Sequence, residues 1–398
     1  MRRYLLPFVA VLVYQLRVGA NVPWSDEWLF LPWLDRHFET GSLEGLFEPH
    51  AGHRAAAVRL LLLGSAYLDN LDFRHLRLAG GLILLGAVWV VFRMTGPGGG
   101  WRMLLPCGMT MLSLRQWENL DWGMQACVFL MLLSCVAAIR ALDRGRILLA
   151  AAAGAAAPLC WAGGIMIWPA LTVQAWLTYP RSKIPWIFAA GSVLMGAWHG
   201  GGVRLWFNVP GAVEYALTNL AGAIVSEEAP AGALPVVGLL IAILHGLGIA
   251  AFLRAAPEER RAAIPFLALS VFALLNTAGL VAARYAIGLI QPGASRYSTA
   301  TMAGLAGALG LLTICRGPRL ARAALTLLMI AGPLYTDFVM LRMSPWVRSY
   351  GQNLVRAVRA PSRTAKDLEP FQMHLDRIEP GIEIMRRRQW GPFSCACP

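Results

Sequence analysis

The chain has 398 residues, of which 57% are hydrophobic and only 14% are charged. A soluble protein carries about a quarter charged residues, so this composition excludes an ordinary soluble domain and indicates a polytopic membrane protein. The formal net charge is +13, but most arginines lie in short connections between apolar segments, which is typical of the cytoplasmic side of membrane proteins. The sequence contains no basic stripe interleaved with aromatics, so we expect no nucleic-acid partner.

The first apolar segment follows Met1-Arg2-Arg3 and has the pattern of a signal peptide, with Val18-Gly19-Ala20 as its cleavage motif. Arg17 is unusual so close to a cleavage site, and many apolar segments follow. These features favour an uncleaved first membrane helix. A polar first external loop, residues 21–54, comes next and leads into an apolar helix over residues 54–70. Because a span needs about 20 apolar residues, we expect this helix to lie along the membrane surface.

Ten further apolar segments predict a bundle of about 11 membrane spans in total. Every second connection between these segments carries arginines. With 11 spans, all of the arginine-bearing connections lie on the same side of the membrane as the N-terminus, and this side is expected to be the cytoplasm. We therefore expect an all-α fold with a membrane domain over residues 1–340 and a small basic C-terminal tail, 341–398, in the periplasm. The predicted limits of the ten segments are 76–94, 101–115, 121–140, 147–161, 163–179, 184–200, 232–253, 264–284, 298–315 and 320–340.

Asp26 and Glu27 follow the first apolar segment and are bracketed by Trp24 and Trp28. Acids beside a membrane helix are often merely solvated, and tryptophans at this depth are usually interfacial anchors. A carboxylate close to the bilayer is nevertheless costly to keep and is often functional. Against indole rings in a partly dry cleft, it can act as a general base on a hydroxyl group. Asp26 and Glu27 are therefore the candidate catalytic residues.

The second polar motif is H-x-x-H-R, formed by His50, His53 and Arg54. Two histidines at this spacing on a helix can bind a divalent metal together with a carboxylate, although Gly52 favours a turn and such pairs are often structural. A divalent metal is therefore an open cofactor assignment. Arg54 is a candidate for bidentate binding of a phosphate group.

Two further motifs lie in connections on the same predicted side. The connection Arg115–Gln125 contains amide, acid, indole and guanidinium groups, although a polar turn with tryptophan anchors is the simpler interpretation. The segment Gln291–Tyr297 opens the next span, where an arginine at a helix N-terminus suits an anionic ligand or merely anchors the span. The candidate substrate-binding residues, which come from the second, third and fourth motifs, are His50, His53, Arg54, Arg115, Gln116, Trp117, Glu118, Asn119, Gln125, Arg296 and Tyr297.

Few other motifs carry chemistry. Cys395 and Cys397 form a C-x-C pair without the partner ligands of a zinc site. The glycine-rich connection 96–100 is typical of a flexible turn rather than a phosphate cradle. The sequence contains no Walker loop, dinucleotide-binding fingerprint, nucleophile elbow or H-E-x-x-H motif.

Taken together, the four motifs resemble those of bacterial GT-C-type integral-membrane glycosyltransferases. The matching patterns are P-x-x-D-x-W at Pro23–Trp28, H-x-x-H-R at His50–Arg54, Q-W-E-N-x-x-W-G-x-Q at Gln116–Gln125, and S-R-Y at Ser295–Tyr297. The resemblance implies an inverting transfer from a polyprenyl-phosphate-linked sugar to a glycan, lipid or protein acceptor. The reaction would take place on the periplasmic side of the bacterial inner membrane.

The resemblance also implies that an acidic residue of the first external loop is the base. That role falls to Asp26, with Glu27 as its neighbour or substitute. Arg54, Arg115 and Arg296 are phosphate contacts by their chemistry rather than by the resemblance. A polymerase or ligase of lipid-linked glycans, or a lipid or solute transporter, remains an alternative. A transporter would be expected to show inverted repeats, and no convincing repeat is present.

Overall fold

The computed structural model describes residues 6–50, 53–95, 101–199, 208–226, 229–230, 232–285, 292–371, 373 and 375–394. These residues are almost entirely helical, which confirms the all-α prediction. Their strands are β1 (Pro49–His50) and β2 (His53–Arg54), an antiparallel pair that sets His50 opposite His53. The glycine-rich connection 96–100 and the pair Cys395 and Cys397 lie outside the described residues.

Helices alternate with short 3-10 turns that carry most of the polar motifs. The 3-10 helices that matter for the site are Ser25–Phe30, Leu114–Gln116, Gly123–Gln125 and Ser295–Tyr297. The α-helices of the described residues are α1 (Leu6–Val18), α2 (Leu31–Thr40), α3 (Ala56–Asp69), α4 (Phe73–Met94), α5 (Trp101–Met111), α6 (Trp117–Asp121), α7 (Ala126–Asp143), α8 (Ile147–Cys160), α9 (Ile167–Thr178), α10 (Ile184–His199), α11 (Val209–Ala221), α12 (Ala233–Arg254), α13 (Pro257–Arg284), α14 (Ser298–Ile314), α15 (Arg319–Arg359), α16 (Ala365–Leu368) and α17 (Leu375–Arg388).

Six of the described helices are long and apolar enough to cross a membrane, which supports the predicted membrane character. The count of about 11 spans is not confirmed. Helix α5 has 11 residues and is therefore about 16 Å long, roughly half of a bilayer's hydrocarbon core. Shorter apolar helices are Pro7–Val18, Ile147–Cys160 and Ile184–Trp198. The six candidates are Phe73–Met94, Gly123–Asp143, Ala233–Arg254, Pro257–Arg284, Ser295–Ile314 and Arg319–Arg359.

Helix α14 is the most deeply buried of these candidates, with 83% of its apolar window inside the protein. Gly304, Gly307 and Gly310 recur at every third residue on the side that faces α13. A Cβ atom at Gly307 would lie 2.8 Å from the carbonyl oxygen of Phe266, so the two backbones are in close contact. Small residues allow this packing between membrane helices, and α14 is accordingly the central element of the bundle.

Helix α15 runs without a break from Arg319 to Arg359. Its 41 residues are about 60 Å long, twice the thickness of a bilayer's hydrocarbon core. The predicted span 320–340 is therefore only the first half of this helix. The predicted domain boundary between residues 340 and 341 falls inside it.

The described part of the C-terminal segment, residues 341–398, packs on the polar loop of residues 21–54. Phe371 makes an edge-to-face contact with Trp28, with ring centroids 5.3 Å apart. Arg388 Nε donates to Asp35 Oδ1 of α2 at 2.7 Å, and Arg387 also pairs with Asp35. Because Ile378, Ile382 and Met385 of α17 are buried, the tail and the loop share one apolar core.

The close approach of α13 and α14 can be tested with the substitution Gly307→Ala. The added methyl group would press on the carbonyl oxygen of Phe266 and the amide nitrogen of Ser270, each 2.8 Å away. Overpacking of this kind costs about 1–3 kcal/mol, so we expect a lower melting temperature in detergent.

Gly246→Ala in α12 is the matched control, because no neighbouring atom lies within 4 Å of the Cβ position. Alanine there is expected to stabilise the helix by about 0.5–1 kcal/mol. If Gly307→Ala melted at the wild-type temperature or above, the packing of α14 on α13 described above would be wrong.

Candidate functional site

The 3-10 helix Ser25–Phe30 presents Asp26 at the surface of the polar loop formed by residues 21–54. Ser25, immediately before it, has a φ of 46°, a conformation that non-glycine residues rarely adopt. The side chain of Asp26 is 36% exposed, and its Oδ2 lies 3.2 Å from Nε2 of His50. The His50 side chain is 13% exposed and packs on Phe30, with ring centroids 4.8 Å apart. Asp26 and His50 therefore form an accessible acid–imidazole pair.

Glu27 lies next to Asp26 but has a different environment, because its side chain is fully buried. Its Oε2 accepts a hydrogen bond from the backbone amide of Trp24 at 2.7 Å, and its Oε1 accepts one from the amide of Met124 at 2.6 Å. A side chain at Gly123 would collide with Oε1, since a Cβ atom there would lie 2.9 Å away. Glu27 therefore joins the first motif to the third.

The burial of Glu27 has an electrostatic consequence. Desolvation raises the pKa of its carboxyl to about 7, although the positive charge of Arg77 and the two backbone hydrogen bonds oppose the shift. Burial disfavours the ionised form of a carboxyl group. Both oxygens of Glu27 accept backbone hydrogen bonds within the protein, whereas Asp26 is accessible to a substrate.

A buried polar cluster behind Glu27 was not predicted from the sequence. Arg77 of α4 donates to the carbonyl oxygens of Ala20 and Val22. The hydroxyl of Tyr14 donates to Asp121 Oδ2 at 2.7 Å. An arginine inside an apolar segment is itself a signal of function or of a buried network, and this signal could have identified Arg77.

The third and fourth motifs are joined by an ion pair. Glu118 Oε1 accepts from Arg296 Nη1 at 2.7 Å, and its Oε2 accepts from the backbone amide of Arg296 at 3.0 Å. The Ser295 hydroxyl also donates to Oε2, at 2.8 Å. Arg296 lies over the ring of Tyr297, 5.1 Å from its centroid. The guanidinium of Arg296 is therefore already engaged by a carboxylate.

The amides of the third motif complete this junction. Asn119 Nδ2 donates to Thr299 Oγ1 at 2.9 Å, and the Thr299 hydroxyl donates to Gln116 Oε1 at 2.8 Å. Gln125 is buried, and within the described residues its Oε1 has no hydrogen-bond partner. Trp117 is half-buried. Most of this motif therefore binds other parts of the chain.

Arg115 is only 2% exposed. Its Nε donates to the carbonyl oxygen of Val225 at 3.0 Å, and its Nη2 donates to that of Gly293. These contacts tie three connections together at the end of the bundle. The position is suited to holding loops and offers little access to a phosphate group.

Arg54 is half-buried, and among the described residues it makes no ion pair with a carboxylate, in contrast to Arg296. Its Nη1 donates to the carbonyl oxygen of Phe47 at 2.9 Å, and its guanidinium lies 5.3 Å from the ring centroid of Trp198. Phe47 and Trp198 are both exposed. The backbone of His53 pairs with that of His50, but the His53 side chain lies outside the described part of the structure.

Three contacts therefore link the four motifs: the first motif contacts the second and the third, and the third contacts the fourth. His50 contacts Asp26, Glu27 contacts Met124, and Glu118 contacts Arg296. Within the described residues, no group of three or more histidine, cysteine, aspartate or glutamate side chains is arranged to hold a metal ion.

Comparison of the chain with protein-family models, with curated proteins and with solved structures finds no match.

The burial of Glu27 predicts a specific pH dependence of stability. Its folded pKa of about 7 exceeds its ordinary value of 4.5, so the folded state binds the proton more tightly than the unfolded state. Stability contributed by this group is thus lost as pH rises from about 5 to about 7, by at most about 1.4 kcal/mol per pH unit. Glu27→Gln cannot ionise, so we expect the melting temperature of the wild type to fall relative to this variant over that range.

Glu44→Gln, an exposed position of the same loop, serves as the control and should follow the wild-type profile. Parallel profiles for the wild type and Glu27→Gln would show that the carboxyl of Glu27 does not titrate in this window, and would contradict the account of its burial.

Proposed function

We propose that the protein is a membrane glycosyltransferase that uses a polyprenyl-phosphate-linked sugar and that Asp26 is its general base. The observation that carries this proposal is the exposed Asp26 carboxylate held by His50. Glu27 and Glu118 are occupied by backbone amides or by Arg296. Among the described residues, Asp26 has only an imidazole as its partner, so it can accept a proton from a substrate hydroxyl.

The reaction would be a single displacement with inversion. Asp26 removes the proton of the acceptor hydroxyl as that oxygen attacks the anomeric carbon of the sugar. The bond from that carbon to the phosphate oxygen breaks, and its electron pair leaves with the polyprenyl phosphate. His50 holds the carboxylate through Oδ2, which leaves Oδ1 for the acceptor. A positioned general base typically contributes 10²–10⁴-fold to the rate.

The leaving phosphate needs a cation, and Arg54 is the residue that we assign to it. Arg54 lies in the same hairpin as His50, and among the described residues only one of its nitrogens donates a hydrogen bond to the protein. Stacking on Trp198 orients the planar guanidinium and leaves its other edge for two-point binding of a phosphate. Exposed aromatic rings at Phe47 and Trp198 provide apolar surface for the prenyl chain. A divalent metal ion would supply additional charge stabilisation at this phosphate.

The proposed site belongs on the periplasmic side of the bacterial inner membrane. This orientation rests on the arginine-bearing connections at the opposite ends of the helices, and it counts the shorter apolar helices among about 11 spans. The acceptor is a hydroxyl of a glycan, lipid or protein. A polymerase or ligase of lipid-linked glycans and a lipid or solute transporter are the alternatives, and none of them requires the carboxylate of Asp26 as a base.

Asp26→Asn tests the general base. The amide keeps the size of the side chain and its capacity for hydrogen bonding but cannot accept a proton at neutral pH. We expect turnover with a polyprenyl-phosphate sugar to fall roughly 100-fold or more, while binding of the lipid donor is retained.

The control is Asp69→Asn, because Asp69 forms another aspartate–histidine pair, with His75 at 3.1 Å, outside the four motifs. This variant should keep wild-type turnover. Near-normal turnover of Asp26→Asn, in protein that folds normally, would exclude Asp26 as the base.

Arg54→Ala and Arg54→Lys test the phosphate contact. Lysine keeps the charge but loses the planar two-point geometry, so the loss of affinity for polyprenyl phosphate should be larger for alanine than for lysine. A hydrogen bond to a charged group contributes about 1.5–3 kcal/mol, which predicts about a tenfold loss or more for alanine.

Arg36→Ala is the control for general charge effects, because Arg36 is an exposed arginine of the same loop. Its affinity for polyprenyl phosphate should stay at the wild-type level. Equal losses in Arg36→Ala and Arg54→Ala would remove Arg54 from the site.

A further inference from the structure

A second candidate site lies where α4, α7 and α8 meet, at the C-terminal end of α7, and its wall is mostly apolar. It is a cavity of about 280 Å³ lined by three arginines and by apolar side chains. Residues Gly123–Asp143 form one candidate span of 21 residues, which is about 30 Å long. Because Glu27 contacts the first turn of this span, the cavity and the proposed catalytic site lie at its opposite ends. The cavity-lining residues used below are Val90, Ala137, Arg140, Ala141, Arg144, Arg146 and Leu149.

The cavity carries an excess of positive charge. Arg140 donates to the carbonyl oxygen of Arg93 and is repelled by the charges of Arg93, Arg144 and Arg146. Among the described residues, no carboxylate lies within ion-pair distance of Arg140, Arg144 or Arg146. The exposed carboxylate of Asp143 is near enough to attract two of them but does not balance the group. An anion bound here would relieve the repulsion.

The start of α8 favours the same kind of ligand. This helix begins at Ile147, and its N-cap residue, Arg146, makes no side-chain hydrogen bond to the first turn. Leu149, in that first turn, lines the cavity. Amide groups at a helix N-terminus and the positive end of the helix dipole attract phosphate groups.

The residues around the arginines are apolar and exposed. Such surroundings favour a lipid over a free anion as the ligand. The apolar part of the cavity wall is formed by Val90, Ala137, Ala141 and Leu149. Leu148 is 87% exposed, and the exposed ring of Trp89 lies 5.9 Å from the guanidinium of Arg93. A tryptophan ring and an arginine beside exposed leucines are typical of the boundary between lipid headgroups and acyl chains.

We propose that this cavity binds the headgroup phosphate of an anionic phospholipid, with its acyl chains on the exposed leucines of α8. Basic pockets between membrane helices recognise anionic lipid headgroups in this way. The site does not depend on the proposed glycosyl transfer, because it shares no residue with the four motifs and lies at the opposite end of α7.

The test compares retention of phosphatidylglycerol by purified full-length protein, measured by native mass spectrometry after exchange into mixed phosphatidylglycerol–phosphatidylcholine nanodiscs. The variant is Arg144→Gln with Arg146→Gln, since both side chains are exposed and make no ion pair within the described residues. Each arginine near an anionic headgroup contributes about fivefold to affinity, so we expect a loss of roughly 25-fold.

The matched control is Arg342→Gln with Arg348→Gln, which removes the same charge from two exposed positions of α15 outside this cavity. Its retention of phosphatidylglycerol should stay within about twofold of wild type. Asp337, in the same part of α15, contacts Leu114 beside the third motif, so these charges lie near the opposite end of the bundle and are screened. Equal losses in the two variants, or equal retention of both lipids by the wild type, would overturn the proposal. Displacement of the lipid by inorganic phosphate at a comparable concentration would identify a free-anion site and would also overturn it.

Discussion

The contact between the buried carboxylate of Glu27 and the backbone amide of Met124 is the constraint on which the candidate site depends. A carboxyl group in an apolar interior is costly unless hydrogen bonds satisfy it. The amides of Trp24 and Met124 provide these bonds, and the N-terminal end of the span Gly123–Asp143 offers a favourable potential for negative charge. This contact fixes the loop of residues 21–54 on the bundle. Asp26, the adjacent residue, is thereby left at the surface.

Two further acidic residues, Glu118 and Asp35, connect these loops to the C-terminal half of the chain. Glu118 lies in the same connection as Met124, which contacts Glu27. The carboxylate of Glu118 pairs with Arg296, 178 positions further along the chain. On the other side, Asp35 binds Arg387 and Arg388 of α17. Glu27, Glu118 and Asp35 thus hold distant segments in register, whereas Asp26 contacts His50 and stays accessible to a substrate. This division of roles explains why so many charged residues gather at one end of an apolar bundle.

Local patterns in the sequence predict the helices well and the roles of their charged residues poorly. The apolar helix expected over residues 54–70 corresponds to α3 (Ala56–Asp69), because a local apolar run determines it. The difference between Asp26 and Glu27 depends on an amide 97 residues away, which no local pattern contains. The sequence also did not predict that α15 continues beyond residue 340. Pro345 follows the expected end of the span, where a proline usually marks the end of a helix, and yet it lies inside α15. Long-range packing decides these cases, and a single sequence does not record it.

The central claim is that the four polar motifs lie on one side of a membrane and the arginine-lined cavity lies on the other. Single cysteines at Ser42, in the first external loop, and at Ser182, in the exposed connection after α9, test it most directly on a background without other reactive cysteines. The measurement is labelling of intact cells by a membrane-impermeant maleimide. The account predicts labelling at position 42 and protection at position 182 until the membrane is opened. Labelling of both positions from the same side, or of position 182 alone, would contradict it.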